Sequence, residues 1–297
     1  MRRRIGVTTA VALALVLGGC AAGAPGAASP TPATALPDGV TVSFVQLRSD
    51  VAARQAQVEI VNGTDDVLTI GSVRVADPRF DGPAVRVVER DSRVAAGSTV
   101  DIRVQLPAAA CAGAGVDADA DAEASVTFDY STGGESVEVT APLPDPVGFV
   151  APLHERECRA ALLAEAAGLA FTGFTPSPAG TPASLELTIR PTGAAGAVIR
   201  GIQTTNLLTF GQGAGDTADT HPLDLEVSAA DTDAVVVSLP LVPLRCDPHA
   251  VQEDKRGTIF TIAVELDGAP GEIELAAPED LRGRILTWVA AWCGFGG

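Results

Sequence analysis

Four cysteines stand in two pairs, Cys111 with Cys158 and Cys246 with Cys293, and each pair spans 47 positions. The second pair repeats the first at an offset of 135 residues. Equal spans at one offset are the mark of a duplicated unit in which each copy carries its own bridge. Four cysteines allow three connectivities, and the repeat favours Cys111–Cys158 and Cys246–Cys293. Closing a loop of that length is worth about 4 kcal/mol on a chain-entropy estimate. A four-thiolate metal site is the alternative. It lacks any close C-x-x-C pair and sits badly with an oxidising exterior.

The apolar residues between the cysteines follow a period of two. Val40, Val42 and Phe44 alternate with polar neighbours, as do Ala56, Val58 and Ile60, then Val100, Ile102, Val104 and Leu106, then Val126, Phe128 and Tyr130. Alternation of β-branched and aromatic residues, broken by Gly, Pro, Asp and Asn, is strand patterning. Leu185, Leu187 and Ile189 repeat the strand that ends at Ile60. Val235 to Leu241 repeat Val100 to Leu106 at the cysteines' own offset, and Phe260 to Leu266 repeat Ala124 to Tyr130. The predicted fold class is therefore all-β: two tandem sandwich modules, 38–168 and 169–297. Their architecture resembles immunoglobulin-like or fibronectin-like domains, without the Trp-plus-cysteine signature of antibody domains. Residues 154–167 carry a helix signal with Gly168 as C-cap, and 285–292 occupy the matching place in the second copy. A short helix thus lies between or closes the modules.

The chain opens with Arg2, Arg3 and Arg4 and an apolar stretch from Ile5 to Leu17, then Gly18-Gly19-Cys20. This is the layout of a secretory signal, and the apolar stretch is shorter than the roughly 20 residues of a membrane span. The run Leu17-Gly18-Gly19-Cys20 resembles the lipobox of bacterial lipoproteins. That resemblance implies removal of residues 1–19 and a diacylglyceryl thioether on Cys20, with the protein held on the extracytoplasmic face of the cell membrane. Two acyl chains anchor stably where one does not. A lipid on Cys20 also accounts for the odd fifth cysteine. Residues 20–37, nearly all Ala, Gly, Pro, Ser and Thr, cannot bury a core and are predicted to be a disordered tether. Such a tether reaches roughly 20 to 50 Å.

Charge excludes one class of partner. The chain carries −17, and the leader holds three arginines and no acid, so the mature form stands at −20. A chain this acidic is repelled by phosphate backbones, and nucleic acid is excluded as a partner. Membrane contact is expected through the lipid on Cys20. A single lysine amid abundant Ala, Gly, Val, Pro, Asp and Arg is the bias of a high-GC genome, as in actinobacteria.

No catalytic, cofactor or metal-ligating residue is assigned. The densest cluster of ionisable residues is Cys246-Asp247-Pro248-His249 with Glu253 and Asp254, a speculative ligand loop whose plainer reading is a solvated turn. The carboxylates Asp117, Asp119, Asp121 and Glu123 alternate as at the start of a calcium loop, but the glycine and the bidentate glutamate of an EF-hand are missing. His154-Glu155-Arg156-Glu157 reads as decoration of an exposed helix face. Trp288 and Trp292, four residues apart, fit core packing better than a sugar platform. Asn62-Gly63-Thr64 matches a glycosylation sequon and reads more simply as a hairpin turn. The expected function is non-catalytic binding of a protein or envelope component. The alternatives are a solute or metal receptor beside a transporter, and an envelope hydrolase using His249.

Overall fold

The computed structural model describes residues 31–33, 35–111, 123–213, 216–252 and 256–295. The leader and Cys20, the acidic run up to position 122, and Glu253 and Asp254 lie outside the described residues.

The first module runs through β1 (Thr31–Ala33), β2 (Val40–Val45), α1 (Arg48–Val51), β3 (Gln55–Asn62), β4 (Leu68–Ala76), β5 (Ala84–Arg86), β6 (Ser92–Val94), β7 (Thr99–Gln105), β8 (Ser125–Ser131) and β9 (Val137–Pro142). A helix α2 (Val150–Ala166) leads into the second. That module comprises β10 (Ala167–Thr175), β11 (Ala183–Pro191), β12 (Ala197–Gln203), β13 (Leu208–Gly213), β14 (Asp216–Ala218), β15 (Thr220–Val227), β16 (Val235–Pro243), α3 (Pro248–Gln252), β17 (Ile259–Leu266), β18 (Ala269–Ala276) and α4 (Glu279–Trp292).

Each module is a sandwich of antiparallel strands. In the first, β2–β3–β7 form one half and β4–β8–β9 the other, with β5 paired to both β4 and β7 so that the halves join along one edge. Inward residues from both halves, among them Phe44, Ile60, Val104, Ile70, Val126 and Phe128, meet in one core. In the second module the corresponding halves are two separate sheets: β10–β11–β16 carry β13 and β14, and β12–β17–β18 carry β15. Its core draws on Leu185, Leu187, Ile199, Leu239, Phe260 and Ile262. The strands form because alternation offers one apolar face, and each buried Leu, Ile or Phe contributes roughly 1.5–3 kcal/mol.

Where the alternation breaks, the backbone adjusts. Leu68 and Ile70 point inward, and so do Val73 and Val75, a change of parity across two residues. A β-bulge between Ile70 and Val73 absorbs it. The copy strand β12 bulges between Ile199 and Gly201, returning Ile202 to the core.

Three local expectations are corrected. First, the proline-rich tail is not tether throughout, since Thr31–Ala33 pair in parallel with Val137–Val139 of β9. Strand β9 is otherwise an open edge, and an edge tolerates Pro32 because a missing N–H costs nothing on the solvent side. Second, Asn62-Gly63 is not a hairpin turn. Strand β3 does not pair with β4, and the chain crosses from one half of the sandwich to the other. Asn62 is fully buried and its Nδ2 donates to the carbonyls of Asp66, Val94 and Ala95 at 2.8, 3.0 and 3.1 Å. Its Oδ1 accepts from the Thr64 backbone N–H at 3.1 Å and from the Thr64 hydroxyl at 2.7 Å. Gly63 approaches so closely that an added Cβ would sit 2.5 Å from the Gly39 carbonyl oxygen. Asn62→Ala leaves buried carbonyls without a donor, and a loss of about 2–3 kcal/mol is expected, read from the midpoint of urea unfolding. Third, Gly168 does not cap α2. Ala167 is already extended, its N–H donating to the Leu163 carbonyl, so helix passes to strand without a linker.

Helix α2 belongs to both modules. Val150 is part of the first core and Leu153 packs against it, whereas Leu163 and Ala166 are part of the second. Polar contacts follow the same division. Arg54 pairs with Glu157 on the first module's side. On the other, Arg156 lies 3.9 Å from Glu274, and Arg159 donates to the Glu272 carbonyl at 3.3 Å. Those contacts lay α2 along the open edge of β18, one of the ways sheets are protected from stray pairing.

Candidate functional site

Both disulfides form as expected, with Cα–Cα distances of 5.2 Å. They are equivalent in place. Each joins the segment after the β7 or β16 strand to the helix that closes its module, Cys158 in the middle of α2 and Cys293 at the end of α4. The Cys111–Cys158 bridge therefore pins the helix whose other half is embedded in the neighbouring module.

His154 sits on this bridge, and its placement overturns the exposed-face expectation. It is 4% exposed, with Nε2 3.2 Å from the Ala110 carbonyl oxygen and 3.4 Å from Cys158 Sγ. One helical turn separates His154 from Cys158, so the two share the face that turns toward the Cys111 segment. Charged neighbours at 155–157 hide that face in the sequence. Glu157 and Arg156 do lie toward solvent, each about one-third exposed.

The loop at 246–254 is only partly described. Cys246, Asp247 and His249 are exposed, and Asp247 Oδ1 accepts a hydrogen bond from the His249 backbone N–H at 3.0 Å. That bond starts the short helix α3. Among the described residues the His249 ring meets no carboxylate, and no three His, Cys, Asp or Glu side chains converge as a metal site would require. His221, on β15, lies 5.4 Å from the Phe210 ring, and burial pushes its pKa below the usual histidine value.

Trp288 is a core residue. It is 4% exposed, donates from Nε1 to the Ser177 carbonyl at 3.0 Å, and meets Phe174 edge-on at 5.6 Å. Trp292 stacks edge-on against Trp288 at 5.4 Å and is half-buried. The pair packs at the second core, Trp288 within it and Trp292 against it.

Two hollows flank β5, of ≈ 540 and ≈ 230 Å³. Arg86 and Arg90 line both. The sequence offered no hint of this face beyond a rise in arginine, because β5 is three residues long and carries no readable period. A further groove of ≈ 280 Å³ runs between the modules along α2, lined by Arg54, Arg156, Glu157 and Glu274. Its charges already satisfy one another through the Arg54–Glu157, Arg156–Glu274 and Arg256–Glu274 pairs.

No family model matches the chain. No curated protein matches it. Among solved structures it is similar to the YadV chaperone (14% identity over 80% of this chain and 97% of that one, TM-score 0.20). It is also similar to the CsuC–CsuE chaperone–tip adhesion subunit complex of Acinetobacter baumannii (10% identity, 76% and 93%, TM-score 0.20). The E. coli chaperone DraB gives 11% identity over 80% and 98%, with a TM-score of 0.20. Superposition at this level carries no functional argument, and the fold assignment rests on the strand pairing above.

Proposed function

We propose that the chain is a non-catalytic envelope protein, anchored by a lipid on Cys20, that presents two disulfide-bridged β-sandwich modules to a protein or envelope-component partner. In this reading residues 1–19 are the removed leader and 20–37 connect the anchor to modules 38–168 and 169–297. The observation that carries it is the pair of equivalent bridges, one of which fixes the helix shared by both cores. Structural disulfides persist in oxidising compartments outside the cytosol, which agrees with an exported chain. A rigid tandem of sandwiches is a platform that holds surfaces at fixed spacing, and function on such a fold lives in the exposed faces.

The test is labelling with an alkyne fatty acid followed by mild cross-linking in intact cells. Label on the wild type, its loss in Cys20→Ser, and a discrete cross-linked partner are the expected results. Unlabelled wild type, or a chain that cross-links to nothing, contradicts the proposal.

A further inference from the structure

Half of the described arginines meet a carboxylate within 4.0 Å. Four that do not, Arg74, Arg86, Arg90 and Arg93, fall within twenty consecutive residues of the first module. In a chain with 37 acidic side chains against 20 basic ones, such a cluster runs against the composition. Arg86 is half-buried. Its guanidinium donates to the carbonyls of Ile70 and Gly71 at 3.3 and 2.5 Å and to the Ser92 hydroxyl at 2.7 Å. These contacts fill the gap in the ladder between the β5 and β6 pairings of β4, and none of them is anionic. Burial first, and then the nearby Arg90 charge, push the Arg86 pKa down, while Asp91 opposes them. The two guanidiniums therefore repel each other in the free protein, and an incoming anion relieves that repulsion.

Apolar side chains complete the face. Val85, Val87 and Val88 are 47, 41 and 57% exposed and are neighbours along the chain. Glu89 and Asp91 stand at the rim of the larger hollow. Arginine is enriched at protein–protein interfaces, whose rims are polar. Planar guanidiniums bind carboxylates in two-point fashion. The chain's overall negative charge repels an acidic partner at long range, but screening over roughly 8 Å at physiological salt leaves the local patch to decide.

We infer that the face around β5, carrying Arg74, Arg86 and Arg90 with Val85 and Val88, docks a partner protein through a segment that alternates carboxylates with aliphatic side chains. This rests on the binding role proposed above and names the surface and the partner chemistry. The probe is a fluorescent acetyl-(Glu-Val)4-amide peptide, titrated by anisotropy against the full mature chain in neutral detergent. The comparison probes are (Lys-Val)4, inorganic phosphate and phosphatidylglycerol vesicles. Binding of the acidic peptide is expected, weakening as salt rises, with the dissociation constant raised at least about tenfold by Arg86→Gln/Arg90→Gln. Arg90→Gln alone, which breaks no backbone contact of Arg86, is expected to weaken binding by several fold. Arg190→Gln/Arg245→Gln, unpaired arginines elsewhere, is expected to change nothing.

No binding, equal binding of the basic peptide, or indifference to Arg90→Gln overturns the inference. So does competition by phosphate or by the vesicles at equal charge, which would make the face a phosphate or lipid site. If the cellular cross-link survives in Arg86→Gln/Arg90→Gln, this surface is wrong while the binding role stands.

Discussion

Replacing Cys111 and Cys158 together by alanine is expected to lower the stability of the chain by about 4 kcal/mol on the chain-entropy estimate for a loop of 47 residues. The effect should not stay in the first module. Leu163 and Ala166, on the far half of the helix that Cys158 holds, are buried in the second core. Loosening the helix therefore exposes β10 and the edge of β18 that α2 covers. Hydrogen exchange should rise along β10 and β18 as well as along α2, although the second bridge remains intact. The matching Cys246→Ala/Cys293→Ala variant should confine its damage to the second module, because α4 packs within its own core. Exchange confined to the first module in the Cys111→Ala/Cys158→Ala variant would show that α2 is not shared.

Trp288→Ala is expected to cost about 3–5 kcal/mol, the range for deleting a large buried aromatic. Three losses add up: the contact with Phe174, the edge-on stack with Trp292, and the donor to the Ser177 carbonyl. Guanidinium unfolding measures it. Trp288→Phe should recover most of the packing but not the hydrogen bond, leaving a smaller deficit. A variant as stable as wild type would return the tryptophan pair to the surface and reopen a carbohydrate-stacking role.

Much of the fold was legible because it rests on alternation and duplication. The strands β3, β7, β8 and β9 and their copies show a clean period of two, and the cysteines fix which copy answers to which. The duplication runs deeper than one offset reveals. Ile60 and Ile189 are 129 residues apart, as are the bulge-flanking Ile70 and Ile199, whereas the cysteines are 135 apart. Additional chain between β12 and β16, including the β13–β14 pairing, accounts for the difference. The bulges themselves shift parity inside a strand, so β4 and β12 read poorly as sequence.

What stayed hidden depends on contacts distant along the chain. Strand β1 is a Thr-Pro-Ala segment in which only Thr31 favours a strand, and it pairs because β9 presents an open edge. His154 looks like one more charged residue in an acidic helix start, and only the position of the Cys111 segment buries it. The face around β5 emerges from a three-residue strand, a bulge in its neighbour and a turn, none of which has a period. The loop at Asp247 and His249 was legible as a cluster, and its described part is an exposed turn that starts α3.

The most direct test is a non-reducing peptide map of the protein extracted from membranes with free thiols blocked. The expected cross-linked peptides join Cys111 to Cys158 and Cys246 to Cys293, each bond inside its own repeat. A bond between repeats, or blocked thiols at these four positions, would contradict the twin-module account.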